Sequence, residues 1–179
     1  MSIRSLAVFC GSKAGNDPIY LEHANELGQL LAKRNITLIY GGSSKGIMGA
    51  IANASLNLKG KVIGVMPQIL LDWEHQHMGL TELHEVVDMH VRKAMIYEKS
   101  DAAIILPGGY GTLDEFFEIL TWNQLNIHNK SIFVLNSNGF YDSLILQLKK
   151  MEQEGFLYHA VSDKITIVNT PAELELHLN

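Results

Sequence analysis

The sequence predicts a doubly wound parallel α/β sheet with helices on both faces, a three-layer α/β/α arrangement. Three observations predict it. Short β-rich apolar runs alternate with longer helix-like stretches along the whole chain. Several of those runs are apolar throughout, as parallel strands covered on both faces are. Three of the run ends carry glycine, as the ligand-facing edge of such a sheet does.

Five strands are expected, at Leu6–Cys10, Thr37–Tyr40, Val62–Met66, Ala102–Leu106 and Ile132–Leu135. The second, fourth and fifth are nearly wholly apolar. Helices are expected between them at Pro18–Lys33, Ile47–Asn57, Met89–Lys99, Thr112–Leu125 and Phe140–Glu154. Ile165–Val168 reads as one more strand. Thr170 and Pro171 then read as the cap and first residue of a short helix running to Leu178. The segment Pro67–Leu83, with Trp73, Glu74, His75 and His77, lacks periodicity and is expected to be a loop or lid beside the sheet.

The chain has 179 residues, 47% of them hydrophobic, which suits one domain (1–179) with one sizeable core. A formal charge of -5 argues against general affinity for nucleic acid or acidic membranes. Cys10 is the one cysteine, so neither a disulfide framework nor a multi-cysteine zinc site is expected. It reads as a buried strand residue, and Met95 and Trp122 read as core. No run approaches the roughly 20 apolar residues of a membrane span, and a cytoplasmic location is expected.

Chemistry is expected at the glycine-bearing strand ends: Gly11-Ser12, Gly41-Gly42 with Gly46 and Gly49, and Gly108-Gly109 with Gly111. Glycine lets the backbone approach an anion, and the following helix offers unpaired N–H groups and the positive end of its dipole. Three such turns suggest a phosphate cradle. Two nucleotide motifs fail here. Gly41 to Gly46 has the Walker glycine spacing, but Ile47-Met48 replace its Lys-Ser/Thr. No G-x-G-x-x-G follows the first strand, and Gly109-Tyr-Gly111 leads to Asp114 rather than a third glycine, which disfavours an NAD enzyme. No cofactor is expected. His75-Gln-His77 lacks H-E-x-x-H spacing and cysteine support, so no metal is expected either.

Thr112-Leu-Asp-Glu115 fits a capping box, with Thr112 as cap and Glu115 reaching back to it. Glu115 equally fits a carboxylate that projects into the site to orient water or stabilise positive charge. Spacing leaves both readings open. Arg92 and Lys93 precede the strand that feeds the third glycine turn, and adjacent helical residues point about 100° apart, so at most one need face a ligand.

These segments together resemble the lonely-guy (LOG) type cytokinin riboside 5'-monophosphate phosphoribohydrolases, formerly labelled lysine decarboxylases. The resemblance runs nearly end to end through Cys10-Gly11-Ser12, Tyr40-Gly41-Gly42, Gly46-Ile-Met-Gly49, Met89-His-Val-Arg92-Lys93, Pro107-Gly-Gly-Tyr-Gly-Thr112 with Glu115, and Thr121-Trp-Asn-Gln-Leu125. It implies a Rossmann-like homodimer that hydrolyses the N-glycosidic bond of a nucleoside 5'-monophosphate to an adenine-type base and ribose 5-phosphate. Arg92 and Glu115 match the family's catalytic pair. Lys93 and Thr121 match ligand-binding positions, as does the loop Gly108, Gly109, Tyr110, Gly111, Thr112, Leu113 and Asp114, and Ser12, Gly42 and Met89 in the matching segments are expected to bind substrate as well. Glu74 matches a further ligand-contacting glutamate.

The chain departs from the family pattern at Ser43, Ile47, Asp114, Asn126 and Ser131, none of them a catalytic position. The base remains open between plain and N6-prenylated adenine. The rival from another class is a nucleotide or phosphorylated-cofactor carrier, which has less need of Arg92 and Glu115 together. A decarboxylase would need a Schiff-base lysine with a pyridinium partner, a constellation absent from the sequence pattern.

Overall fold

The structure, a computed structural model, describes residues 3–70 and 75–178. The described strands are β1 (Ser5–Phe9), β2 (Thr37–Tyr40), β3 (Val62–Pro67), β4 (Glu82–Val86), β5 (Ala102–Ile105), β6 (Ser131–Leu135) and β7 (Thr166–Val168). They form one sheet in the order β4-β3-β2-β1-β5-β6-β7, with every pair parallel. The helices are α1 (Ile19–Lys33), α2 (Gly46–Asn57), α3 (Met89–Lys99), α4 (Tyr110–Gln124), α5 (Asp142–Gln153), α6 (Val161–Lys164) and α7 (Pro171–Glu175), with a 3-10 turn at Ser137–Gly139. Residues 68–70 are helical as well. The expected doubly wound three-layer architecture is therefore present.

Alternation along the strands sends side chains to two cores. Leu6, Val8, Leu38 and Tyr40 pack with Leu27 and Leu31 of α1 and Ile51 of α2 on one face. Ala7, Phe9, Ile39 and Ile105 pack with Ile96 of α3, Phe116 and Ile119 of α4 and Leu148 of α5 on the other. The period of two in β structure produces this division. Since β1 and β5 are neighbours whose following helices take opposite faces, a crevice opens between their carboxyl ends.

One strand was not expected. Pro67 closes β3, and Glu82–Val86 pairs with β3 as β4, so the irregular stretch is shorter than the Pro67–Leu83 reading. β4 is an edge strand with one partner, and its mixed sequence Glu-Leu-His-Glu-Val leaves most of it partly exposed. The tail follows its expectation closely: the Thr170 hydroxyl accepts from the Glu173 amide at 3.2 Å, with Pro171 at the first turn.

The α1–α2 crossing is tight because Gly28 has no side chain. A Cβ there would lie 2.4 Å from the Ile51 carbonyl oxygen and 2.9 Å from Ala54 Cβ. Gly28→Ala should therefore force the helices apart and lower the unfolding free energy by about 1–3 kcal/mol in a urea titration. An unchanged midpoint would show that the crossing relaxes freely.

Candidate active site

The crevice at the carboxyl ends of β1 and β5 is a cleft of about 550 Å³. Its floor is made by two turns in contact: the Gly11 amide donates to the Pro107 carbonyl at 3.0 Å. A Cβ on Gly108 would fall 2.1 Å from Thr112 Oγ1 and 2.9 Å from the Gly11 nitrogen. Glycine at 108 is thus a packing requirement. At Gly109 and Gly111 an added Cβ would meet nothing within 4 Å, so the packing of this chain does not require glycine there.

Helix α4 begins in the cleft wall. Gly109 is its N-cap, with no side-chain cap, and the first intrahelical bond runs from the Leu113 amide to the Gly109 carbonyl. The amides of Tyr110, Gly111 and Thr112 precede that bond and border the cleft, at the end of the helix that carries about half a positive charge. A terminus of this kind offers an anion unpaired donors and a positive field.

The capping-box reading of Thr112 is incorrect. The helix starts two residues earlier, at Tyr110, so Thr112 lies inside the first turn, buried beneath Gly108. Glu115 consequently sits in the second turn and is not the partner of a cap. It is buried, 6% exposed, and lines the cleft.

Its partner is Arg92, 7% exposed. The Asp88 carboxylate caps α3 by accepting from the Val91 amide at 2.9 Å, which fixes the start of the helix and places Arg92 in its first turns. Arg92 Nη1 lies 3.1 Å from Glu115 Oε1, and Nε donates to the Val65 carbonyl of β3 at 3.2 Å. The guanidinium rests on Gly41, where a Cβ would come 2.3 Å from Nη2. Three segments therefore immobilise one cation: the turn after β2 by lacking a side chain, β3 by a carbonyl, and α4 by a carboxylate.

Lys93 points away, as the 100° step requires. Its ammonium contacts Asp114 Oδ2 at 2.6 Å and Glu118 Oε2 at 3.3 Å. Partial burial works against its charge, but the Asp114 hydrogen bond and the two carboxylates outweigh that and hold its pKa above the ordinary lysine value.

Of the positions singled out in the sequence, the structure brings Ser12, Met89, Arg92, Tyr110, Asp114 and Glu115 to the cleft, with Gly108, Gly109, Gly111 and Thr112. Four lie elsewhere. Gly42, at φ +84°, packs against Leu83 and Met66. Lys93 lies on the side of α3 that faces Asp114 and Glu118 of α4, and Leu113 packs against the second core. Thr121 lines a separate cavity with Phe117 and Leu120, and its hydroxyl donates to the Phe117 carbonyl at 2.7 Å. Glu74 lies outside the described residues.

The structure adds Lys13, Tyr20, Met48 and Phe140 to the lining, and Gly41 as the surface under Arg92. Tyr20 and Phe140 meet edge to face at 5.5 Å, a contact between distant segments that single-sequence spacing does not carry. Among the described residues no group of three or more His, Cys, Asp or Glu is placed to hold a metal ion, and no helix is long and apolar enough to cross a membrane.

Fold and cleft together define a Rossmann-like α/β protein with an uncapped helix terminus beside a buried Arg–Glu pair. The family model described as "Possible lysine decarboxylase" matches residues 48–178. The chain is 46% identical over 173 residues to cytokinin riboside 5'-monophosphate phosphoribohydrolase LOG1 of Arabidopsis thaliana, covering 97% of this chain and 80% of that protein. It is 43% identical over 165 residues to cytokinin riboside 5'-monophosphate phosphoribohydrolase of Rhodococcoides fascians, covering 92% and 83%. Among solved structures, the molybdenum cofactor binding protein of Rippkaea orientalis shares the fold, with a TM-score of 0.72 at 23% identity over 99% of this chain and 96% of that one. The chain belongs to the LOG family of phosphoribohydrolases.

Removing the guanidinium leaves the Glu115 carboxylate buried without its cation. Arg92→Met should lower the unfolding free energy by about 3–5 kcal/mol, and adding Glu115→Gln should restore part of that loss. Additive effects in this urea-titration cycle would mean that the two groups do not interact.

Proposed function

We propose that this chain hydrolyses the N-glycosidic bond of an adenosine 5'-monophosphate, plain or N6-substituted, to the free base and ribose 5-phosphate. The single observation that carries this reading is the buried Arg92–Glu115 pair, 3.1 Å apart, in the cleft that also receives the uncapped start of α4. The amides of Tyr110, Gly111 and Thr112 hold the 5'-phosphate. The ribose then spans from the helix start toward the carboxylate one turn further along.

Cleavage of the bond from C1' to the base nitrogen sends its electron pair to the base and leaves oxocarbenium character on the ribose. Glu115, ionised against Arg92, stabilises that charge and aligns a water whose oxygen forms the new bond to C1'. One proton from that water is formally taken up by the departing base. Arg92 holds the substrate and keeps the carboxylate in place. No cofactor enters this scheme. The description "Possible lysine decarboxylase" has no counterpart in it: Lys13 is the lysine among the described cleft-lining residues, and the two carboxylates there already face cations, Glu115 with Arg92 and Asp114 with Lys93.

The reading includes a homodimer of single-domain subunits. Phe117, Leu125 and Ile127 expose apolar surface on the outer side of α4 and just beyond it, near Thr121. A second copy covering that side would bring it out of water. A reducing, cytoplasmic compartment suits a chain whose one cysteine is buried.

The test is incubation with AMP and with N6-isopentenyl-AMP, following free base and ribose 5-phosphate, with the mass in solution read by light scattering. The expected result is equimolar release of both products by a particle of about twice the chain mass. Glu115→Gln should lower kcat by about 100-fold or more while still binding nucleotide. Binding without release from either nucleotide would favour a carrier, and wild-type turnover by Glu115→Gln would remove the carboxylate from the mechanism.

A further inference from the structure

Beside the Arg92–Glu115 contact lies a second set of contacts between the same two helices. Lys93 and Tyr97 are four residues apart and share one stripe of α3, while Asp114 and Glu118 share one stripe of α4. The stripes face each other. Lys93 reaches both carboxylates, at 2.6 and 3.3 Å, and the Tyr97 hydroxyl lies 3.0 Å from Glu118 Oε2. The same hydroxyl lies 3.3 Å from the main-chain carbonyl of Glu115 itself.

Tyr97 is 3% exposed, with its ring held edge-on by Phe9 at 5.8 Å and Trp122 at 4.8 Å. Burial, reinforced by the Glu118 carboxylate, pushes its phenol far above the ordinary tyrosine range, so it remains a proton donor throughout the working pH range. Packing alone would be satisfied by phenylalanine. The hydroxyl is buried because two acceptors await it, and both belong to α4.

We propose that Tyr97 and Glu118 are positioning residues for hydrolysis, the ladder of Lys93 and Tyr97 against Asp114 and Glu118 setting the register at which Arg92 meets Glu115. This rests on the roles given to Arg92 and Glu115 above. None of Lys93, Tyr97 and Glu118 lines the cleft, so they act through the α4 backbone and through Asp114. Register matters here because one residue of slip along a helix is 1.5 Å and 100° of rotation, enough to take a carboxylate away from both guanidinium and substrate.

The test uses Tyr97→Phe and the double variant Tyr97→Phe/Glu118→Gln in the full chain. Tyr97→Phe should melt near the wild-type temperature, keep KM within about twofold and lower kcat about fivefold; the double variant should lower kcat by about tenfold or more. In crystals of the double variant the separation of Arg92 Nη1 from Glu115 Oε1 should open beyond about 4 Å, the outer limit of an ion pair. A separation that stays near 3.1 Å with kcat unchanged would overturn the proposal. So would losses of kcat and KM that simply track a lowered melting temperature. Should the wild-type chain release no base from either nucleotide, the functional reading fails, and the crystallographic separation still decides whether the ladder sets the register.

Discussion

The contact between Arg92 and Glu115 is the constraint around which the rest of the cleft is arranged. Both groups are more than nine-tenths buried, and an arginine cannot escape its charge by losing a proton. Such a pair repays its desolvation only with good geometry and further hydrogen bonds. The Val65 carbonyl supplies one, and the bare backbone of Gly41 supplies the room. Replacing such a pair by apolar groups of similar volume is often neutral or stabilising, so stability alone does not account for two charges in this place.

The fold explains why the pair and the uncapped α4 terminus are so near each other. β1 and β5 are neighbours whose helices leave to opposite faces, so the crevice is built by the winding of the chain. Helix α4 enters at this crevice and contributes both its first amides and, one turn on, Glu115. Helix α3 arrives from the far edge of the sheet, after β4, and carries Arg92 across β3 and β2. Arg92 and Glu115 thus meet through two helices from different parts of the chain, and the contacts of Lys93 and Tyr97 join the same two helices outside the cleft.

Much of this was legible in the sequence, for identifiable reasons. β1, β2, β3, β5 and β6 are short apolar runs bounded by glycine or polar residues, a pattern that burial on both faces imposes. β4 was missed because an edge strand with one partner tolerates glutamates and a histidine. The glycine turns pointed to the strand ends that border the cleft, and the family resemblance supplied the Arg–Glu pair, although 22 residues between them conceal their contact in any reading by spacing. Thr112-Leu-Asp-Glu115 satisfied the pattern of a capping box, yet Gly109 starts the helix earlier and turns Thr112 inward beneath Gly108. Lys93 and Thr121 carry the right residue types on helix faces that point away from the cleft, and orientation of that kind is fixed by tertiary packing.

In the proposed mechanism the α4 terminus holds phosphate while Glu115 meets the reacting carbon of the same molecule. A crystal structure of the Glu115→Gln variant with bound AMP decides this. Phosphate oxygens are expected on the amides of Tyr110, Gly111 and Thr112, with C1' about 3–4 Å from the residue 115 side chain or from a water held by it. A nucleotide bound with its base at the helix start, or with C1' turned away from residue 115 toward Tyr20 and Phe140, would contradict it.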